Sequence, residues 1–467
     1  MIRFVMNPPC WLLVAISVLV PWQISHVLRD PTCGLPPKPI GDGPDYECIG
    51  YSLSIGQGYA FTWDDHQWQH PYRLVNQGKD YVHLHREALT GYTTSRPPFF
   101  PWLISIVYRV IPRNEMAFTT IRLISAVSIG LAGAMGVWIA TTITVRIFPL
   151  NGLPVFISGT SSMGLALLDR TIRTYATDFL SEPLAMLATT LFCVFAVGFS
   201  NSRRPELRAL WMGLIFGWMI LIRSMFVFWL PGIAILVLLA SYISANSKSD
   251  IPQEVKPSSS FRRSVGIAGL FLVSVFLVIS PWCYRNVVML NRFMPLGTQG
   301  VSALLGGYCE ESIQLAGNWS PEPELRLRAM VEQSADWKDL SSLEKETRIA
   351  DAASLALREW IFAHKSDLPQ LALMRLKSHW GPFTGTSLLW RIGMLCGVIA
   401  LCLFRRAEGW WLIGMPIVSS VVVMCLYETG GRFLVPLYGL LYGIAGIGVG
   451  ACVGVGVGIA RIRLEKV

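Results

Sequence analysis

Apolar runs long enough to cross a bilayer, which takes about 17–25 residues, recur along the chain and constrain its fold more than any other feature. They lie near 10–28, 99–112, 117–142, 180–200, 207–222, 225–243, 264–283, 386–404, 409–427 and 433–460. A chain so built does not fold in water around one core. Of its 467 residues 52% are hydrophobic and 15% charged, where soluble domains average about 25% charged. The mean hydropathy is +0.47. The sequence therefore predicts an all-α polytopic membrane protein: a bundle of about 10 transmembrane helices plus a partial membrane helix. Two polar stretches, 29–98 and 285–384, read as outside loops carrying short amphipathic helices. They divide the chain into a membrane module over 1–284, a loop region over 285–384 and C-terminal helices over 385–467.

Charge gives the orientation, because Lys and Arg collect on the cytoplasmic side. The net charge of +9 thus needs no nucleic acid to explain it. Arg109 and Arg113; Arg203, Arg204 and Arg208; Lys248, Lys256, Arg262 and Arg263; Arg405 and Arg406; and Arg461, Arg463 and Lys466 form an inside collar. The reading is a multi-pass protein of the plasma (inner) membrane with both termini cytoplasmic. The first span reads as a retained signal anchor, and 244–263 as an inside linker rich in Ser, Pro and Lys. The run at 153–168 is rich in Gly, Ser and Thr and is read as not fully crossing, which keeps Asp178 and Glu182 outside. Cys33 and Cys48 share the first outside loop and can form a disulfide; the cysteines in spans read as packing residues. The glycines over 443–460 lie inside an apolar run and read as close helix packing.

The chemistry-bearing residues gather at the outer edge. Asp42, Asp45 and Glu47 follow the first span, with Tyr46 among them on a helix read as lying on the membrane surface. A carboxylate there can take a proton from a nucleophile or hold a metal. Arg96 precedes the Pro97-Pro98 pair, and its planar fork of donors suits a phosphate. Ser181 and Glu182 begin a helix. Arg223 interrupts the outer end of a span, where a charge is costly and faces a cavity or partner. Arg285, Arg292 and Arg432 lie on the same face, with Glu428 near the last. Together the arginines suit an anionic lipid head group. Asp64, Asp65, His66, His70, His83 and His85 lack a metal-ligand spacing. Asn318-Trp-Ser is a formal sequon, and no Ser has His and Asp partners in a recognisable hydrolase setting.

In order along the chain stand Asp42, Tyr46 and Gly56-Gln-Gly58-Tyr59; Arg96-Pro-Pro-Phe-Phe-Pro101; Ser181 to Leu184; Pro281 to Asn286 with Pro295-Leu-Gly-Thr; and Gly431 to Pro436. This series resembles the GT-C superfamily of integral-membrane glycosyltransferases, in particular the protein mannosyltransferase and aminoarabinose transferase group that uses dolichyl- or polyprenyl-phosphate sugars. Many relatives carry a second acid directly after the key Asp. Here Gly43 follows Asp42, so the base stays open among Asp42, Asp45 and Glu47. The resemblance implies a GT-C-like bundle that moves a sugar from a polyprenyl-phosphate donor to a lipid, glycan or protein acceptor on the outer face. Asp42 would be the general base of an inverting attack. Tyr46, Arg96, Arg223, Arg285 and Arg432 would bind substrate. Glu182 would orient the acceptor or hold a cation, a divalent ion being allowed but not required. Two rival readings are a transporter or flippase of a lipid-linked substrate, and a non-catalytic scaffold of the same fold.

Overall fold

The computed structural model describes residues 5–38, 41–75, 89–199, 202–247, 257–381, 386–404 and 408–464. His83, His85, Lys248, Lys256, Arg405, Arg406 and Lys466, with the side chains of Arg461 and Arg463, lie outside the described residues, as does 248–256 of the linker over 244–263.

Helix α1, Pro8–Arg29, starts on a proline that needs no helical partner for its missing N–H and stops at Asp30, which is extended. Loop one follows. It holds α2, Gly43–Ser54; a short hairpin of β1, Ala60–Phe61, and β2, Gly91–Tyr92, with Ala60 opposite Tyr92; α3, His66–Val75; and α4, Phe99–Val110. Then come α5, Glu115–Ile147; α6, Gly152–Leu168; α7, Arg170–Thr177; α8, Glu182–Val197; α9, Pro205–Ile222; α10, Leu230–Ser247; and α11, Pro257–Leu290. Loop two folds as α12, Gln299–Gly307; α13, Glu310–Gln314; α14, Glu322–Val331; α15, Ser342–Ala363; and α16, Leu368–Trp380. The chain closes with α17, Thr386–Leu403; α18, Gly409–Cys425; and α19, Tyr438–Leu464.

The bundle has two ends. At one, Arg122 near the start of α5 donates to Thr177 O (2.6 Å), Cys33 O (2.8 Å) and Leu35 O (2.7 Å). This is the end that carries both loops. At the other, Arg146 pairs with Glu408, Phe148 packs edge-on against Phe404 at 5.6 Å, and Arg263 pairs with Glu206 at 2.8 Å. Among the described residues six helices are long and apolar enough to cross a membrane, rather than about ten. Four others, of 16–17 apolar residues, rise about 24–26 Å at 1.5 Å per residue, short of the ~30 Å hydrocarbon core.

Two segments differ from the sequence reading, and the differences cancel. The apolar run at 99–112 does not reach the far end. As α4 it is 12 residues long and lies against α2, where Gly50 leaves no room for a side chain beside Ile104 and Pro101 O. Arg109 donates to Leu53 O at 2.8 Å and Arg113 to Glu47 at 2.6 Å, so both belong to the loop end and not to an inside collar. The run at 153–168 is too short to count among those six, yet it lies along the bundle. As α6 it packs antiparallel to α19, with Gly450 on Pro154, Gly446 on Ser158, and the Tyr442 hydroxyl donating to Asp169 at 2.6 Å. Asp178 and Glu182 consequently remain at the loop end.

The surface helix expected around Tyr46 is also corrected. Residues Gly43 to Ser52 of α2 are buried, because α4 and the hairpin cover them. The thiols of Cys33 and Cys48 are free, directed to Thr119 and Thr62 respectively. Burial pushes the Cys48 thiol well up.

The glycine-rich tail packs closely as far as Gly454, while Gly456 and Gly458 face open space. Gly136 of α5 abuts Gly439 O, and Gly448 abuts Gly393 O, at distances that exclude any Cβ. Gly136→Val must push α5 and α19 apart. We expect a destabilisation of about 1–3 kcal/mol, read as a lower thermal transition in detergent; an unchanged transition would contradict the packing.

Candidate active site

Six side chains from five separate segments form one chain of alternating charge at the loop end. Asp42 stands just before α2, after Gly41 at φ +77. Asp45 lies on the first turn of α2. Arg96 sits in the stretch between β2 and α4, held there by the Tyr59 hydroxyl, which donates to Arg96 O at 2.7 Å and to Pro97 O at 3.2 Å. Glu182 begins α8. Arg223 ends α9, where its extended backbone stops the helix. Arg432 follows Gly430 and Gly431, whose φ of +65 and +82 make a turn that only glycine takes at low cost.

The links run Asp45–Arg96–Asp42–Arg432–Glu182–Arg223. Arg96 donates from Nε to Asp45 at 2.7 Å and from Nη1 to Asp42 at 2.8 Å. Arg432 donates from Nη2 to the other oxygen of Asp42 at 2.7 Å and from Nε to Glu182. Arg223 meets the same oxygen of Glu182 at 2.5 Å. Three acids offset three guanidiniums, as burial requires: Asp45 and Glu182 are 1% and 0% exposed, and unpaired charges there would be prohibitive. Arg96 also stands 5.7 Å over the Tyr46 ring. The Tyr46 hydroxyl lies 3.5 Å from Ser181 Oγ, and burial raises it above the ordinary phenol range, so it stays a proton donor.

Asp42, Asp45, Tyr46, Arg96, Arg223 and Arg432 line a cavity of about 350 Å³. Glu182 lies buried behind them. Other expected members fall elsewhere. Arg285 packs on the rings of Trp282 (4.8 Å) and Tyr59 (5.0 Å) and donates to Asn286 at 2.9 Å, outside the cavity lining. Arg292 pairs with exposed Asp351. Glu47 accepts from Trp68 (2.5 Å), Tyr72 (3.0 Å), Tyr108 (2.7 Å) and Arg113 (2.6 Å), a buried knot that ties loop one together. Glu428 is fully buried, accepting from Thr429 N and Gly431 N and paired with His379 at 2.6 Å. Ser419 Oγ lies 3.2 Å from the other His379 nitrogen, so a Ser–His–Glu array exists that the sequence did not reveal. All three are sealed from solvent, and the array braces the turn that presents Arg432. The Asn318 side chain accepts from Gly430 N and the Ser378 hydroxyl and donates to Leu315 O.

The far wall of the cavity comes from loop two: Thr298, Gln299, Ser302, Trp319, Glu324 and Glu346. Of these only Thr298, in Pro295-Leu-Gly-Thr, carried a sequence signal. A divalent cation does not fit the acids present. Asp42, Asp45 and Glu182 each face a guanidinium, and among the described residues no three His, Cys, Asp or Glu side chains gather to hold a metal.

No family model and no curated protein matches this sequence. Solved structures do. The archaeal oligosaccharyltransferase AglB from Archaeoglobus fulgidus, in complex with an inhibitory peptide and a dolichol-phosphate, superposes with a TM-score of 0.52 at 11% identity, covering 98% of this chain and 52% of that one. The fold is GT-C. An A. fulgidus oligosaccharyltransferase in complex with zinc and sulfate gives 0.49 at 12% identity over 94% and 48%. ArnT from Cupriavidus metallidurans, bound to undecaprenyl phosphate, gives 0.38 at 13% over 94% and 78%. The chain spans about half the length of the oligosaccharyltransferases it resembles. At 11% identity the likeness is one of fold alone.

Proposed function

We propose that the protein is a membrane glycosyltransferase that moves a sugar from a polyprenyl-phosphate donor to an acceptor at the loop end of the bundle. The observation that carries this reading is the run of three arginines with Asp42 and Asp45 on one cavity wall, backed by the buried Glu182. The dolichol-phosphate in the AglB complex supports the donor class. In this reading the loop end is the outer, periplasmic or lumenal face, both termini are cytoplasmic, and the bilayer is the plasma (inner) membrane. The acceptor is a lipid, glycan or protein hydroxyl.

The mechanism uses the wall as follows. The lipid phosphate enters against Arg96, Arg223 and Arg432, with Arg285 beside the donor's path at the membrane edge. The acceptor oxygen attacks the anomeric carbon from the opposite side and inverts it. Charge then grows on the departing phosphate, and donors already held in place stabilise it without reorganisation. Asp42, Asp45 and Glu182 hold those donors. As a base, Asp42 is hindered: guanidiniums sit on both its oxygens, and an arriving proton meets two positive neighbours. No step is routed through a metal.

A transporter would need charges near the middle of the bundle. The ion pairs found here stand at its two ends. Proteoliposomes containing the protein and polyprenyl-phosphate hexoses test the choice. The expected result is free polyprenyl phosphate together with a glycosylated acceptor. Donor crossing the bilayer with its sugar intact would overturn the transferase reading in favour of a flippase, and neither event would leave only a scaffold.

A further inference from the structure

With Asp42 clamped, the reaction still needs a group to receive the acceptor's proton. Glu346 has no part in the reaction as described so far. It stands on α15 in loop two and lines the same cavity. It is 5% exposed, and its hydrogen-bond partners are all neutral. One oxygen accepts from the Thr93 hydroxyl. The other accepts from Thr94 N (3.1 Å), Thr94 Oγ1 (3.1 Å) and Thr298 Oγ1 (3.0 Å). Burial pushes this carboxyl above the ordinary range, and the four hydrogen bonds only partly offset it. Arg285 and Tyr59 sense its charge from α11 and from the approach to β1. Arg96, Arg328 and Glu324 share the cavity with it.

The hydroxyls around Glu346 connect it to the cavity. Thr298 lines the cavity and donates straight to the carboxylate. Ser95 also lines it, with its Oγ 2.9 Å from Thr93 Oγ1, and Thr93 donates onward to Glu346. A hydroxyl has one proton and two lone pairs. It can accept a proton from the cavity side, pass its own to the acid, and end unchanged.

We propose that Glu346 is the proton acceptor of the transfer, reached through Thr298 and through Ser95 and Thr93. The proposal rests on the glycosyltransferase reading. The acceptor's O–H bond breaks, its proton goes to a relay hydroxyl, and that hydroxyl's proton moves onto Glu346. The acceptor oxygen forms its bond to the anomeric carbon. The bond from that carbon to the phosphate oxygen breaks, and its electron pair stays on the lipid phosphate beside the arginines. Glu346 ends neutral, the form its buried surroundings favour, and later returns its proton to water.

The test uses the full chain in lipid nanodiscs, with polyprenyl-phosphate mannose, glucose and 4-amino-arabinose as donors and the pH varied from acid to neutral. Wild-type kcat should fall on the acid side as Glu346 is protonated. Glu346→Gln should lose roughly 100-fold in kcat, keep its KM for the donor and lose the acid limb. Glu346→Asp should regain part of the rate and the limb. Thr298→Val should fall between them. The amide can keep the fold: its oxygen can face Thr94 N, and Thr93 can turn to accept from its NH₂. A carboxyl raised on folding stabilises the protein below its unfolded pKa, and that contribution is lost as pH rises through the folded one. Glu346→Gln should therefore be at least as heat-stable as wild type at neutral and alkaline pH. If it does not fold, Glu346→Asp and Thr298→Val carry the comparison. Wild-type kcat in Glu346→Gln, or a loss that leaves the acid limb in place, overturns the proposal alone. A wild type that transfers none of the sugars removes the transferase reading and the proposal with it.

Discussion

Replacing Arg432 with Gln should lower kcat by roughly 10³-fold, the upper end of what one pre-placed donor to a developing oxyanion supplies. Two features make Arg432 the most exacting of the three arginines. It bridges Asp42 through Nη2 and Glu182 through Nε, so it fixes the geometry of both acids. It is also the first residue after a turn set by two left-handed glycines, which gives its backbone little freedom to compensate. Arg432→Lys should recover little of the loss. One ammonium on a flexible stem cannot present two donors in the fixed fork that reaches both carboxylates. Steady-state kinetics with the most active polyprenyl-phosphate sugar would decide it, with the thermal transition measured alongside to exclude unfolding. A Lys variant with more than about a third of wild-type kcat would mean that Arg432 acts only as a point charge.

Much of this site was legible before folding, because its residues stand where apolar runs end. Arg223 interrupts a span, Arg432 follows a Gly-Gly pair, and Arg96 precedes two prolines. Each is conspicuous for lying where charge or rigidity is costly. What the sequence hid has physical reasons. Hydropathy does not distinguish a helix immersed in lipid from one buried under another helix, so α4 read as a span. The small residues that weaken the hydropathy of α6 are the ones that let it lie against the backbone of α19, so a packed helix read as a partial one. Arg113 looked like part of a cytoplasmic collar, since nothing local ties it to Glu47, 66 positions earlier. Glu346 sits on an ordinary half-polar helix. Its role depends on Thr93 and Thr94, about 250 residues away, and no local pattern reports such a pairing.

Glu182→Gln should damage the fold as much as the reaction. The side chain is fully buried and is the carboxylate that Arg223 meets. The neutral amide leaves Arg223 uncompensated and Arg432 with Asp42 alone. Removing one partner of a buried pair typically costs about 3–5 kcal/mol, because the remaining charge stays desolvated. Asp42→Asn is the informative contrast. Its side chain is 22% exposed, Arg96 keeps Asp45 and Arg432 keeps Glu182. The fold should hold while kcat falls, since the two arginines lose the acid that aligns them. The acid limb of the pH profile should persist in Asp42→Asn, because the proton goes elsewhere. Thermal transitions in detergent separate the two variants: a large drop for Glu182→Gln and a small one for Asp42→Asn. Equal drops would refute the charge argument. The double variant Glu182→Gln with Arg223→Gln should be more stable than Glu182→Gln alone, because it removes the stranded guanidinium together with its partner. A double variant that is merely the sum of the two losses would show that Glu182 and Arg223 do not act as a pair.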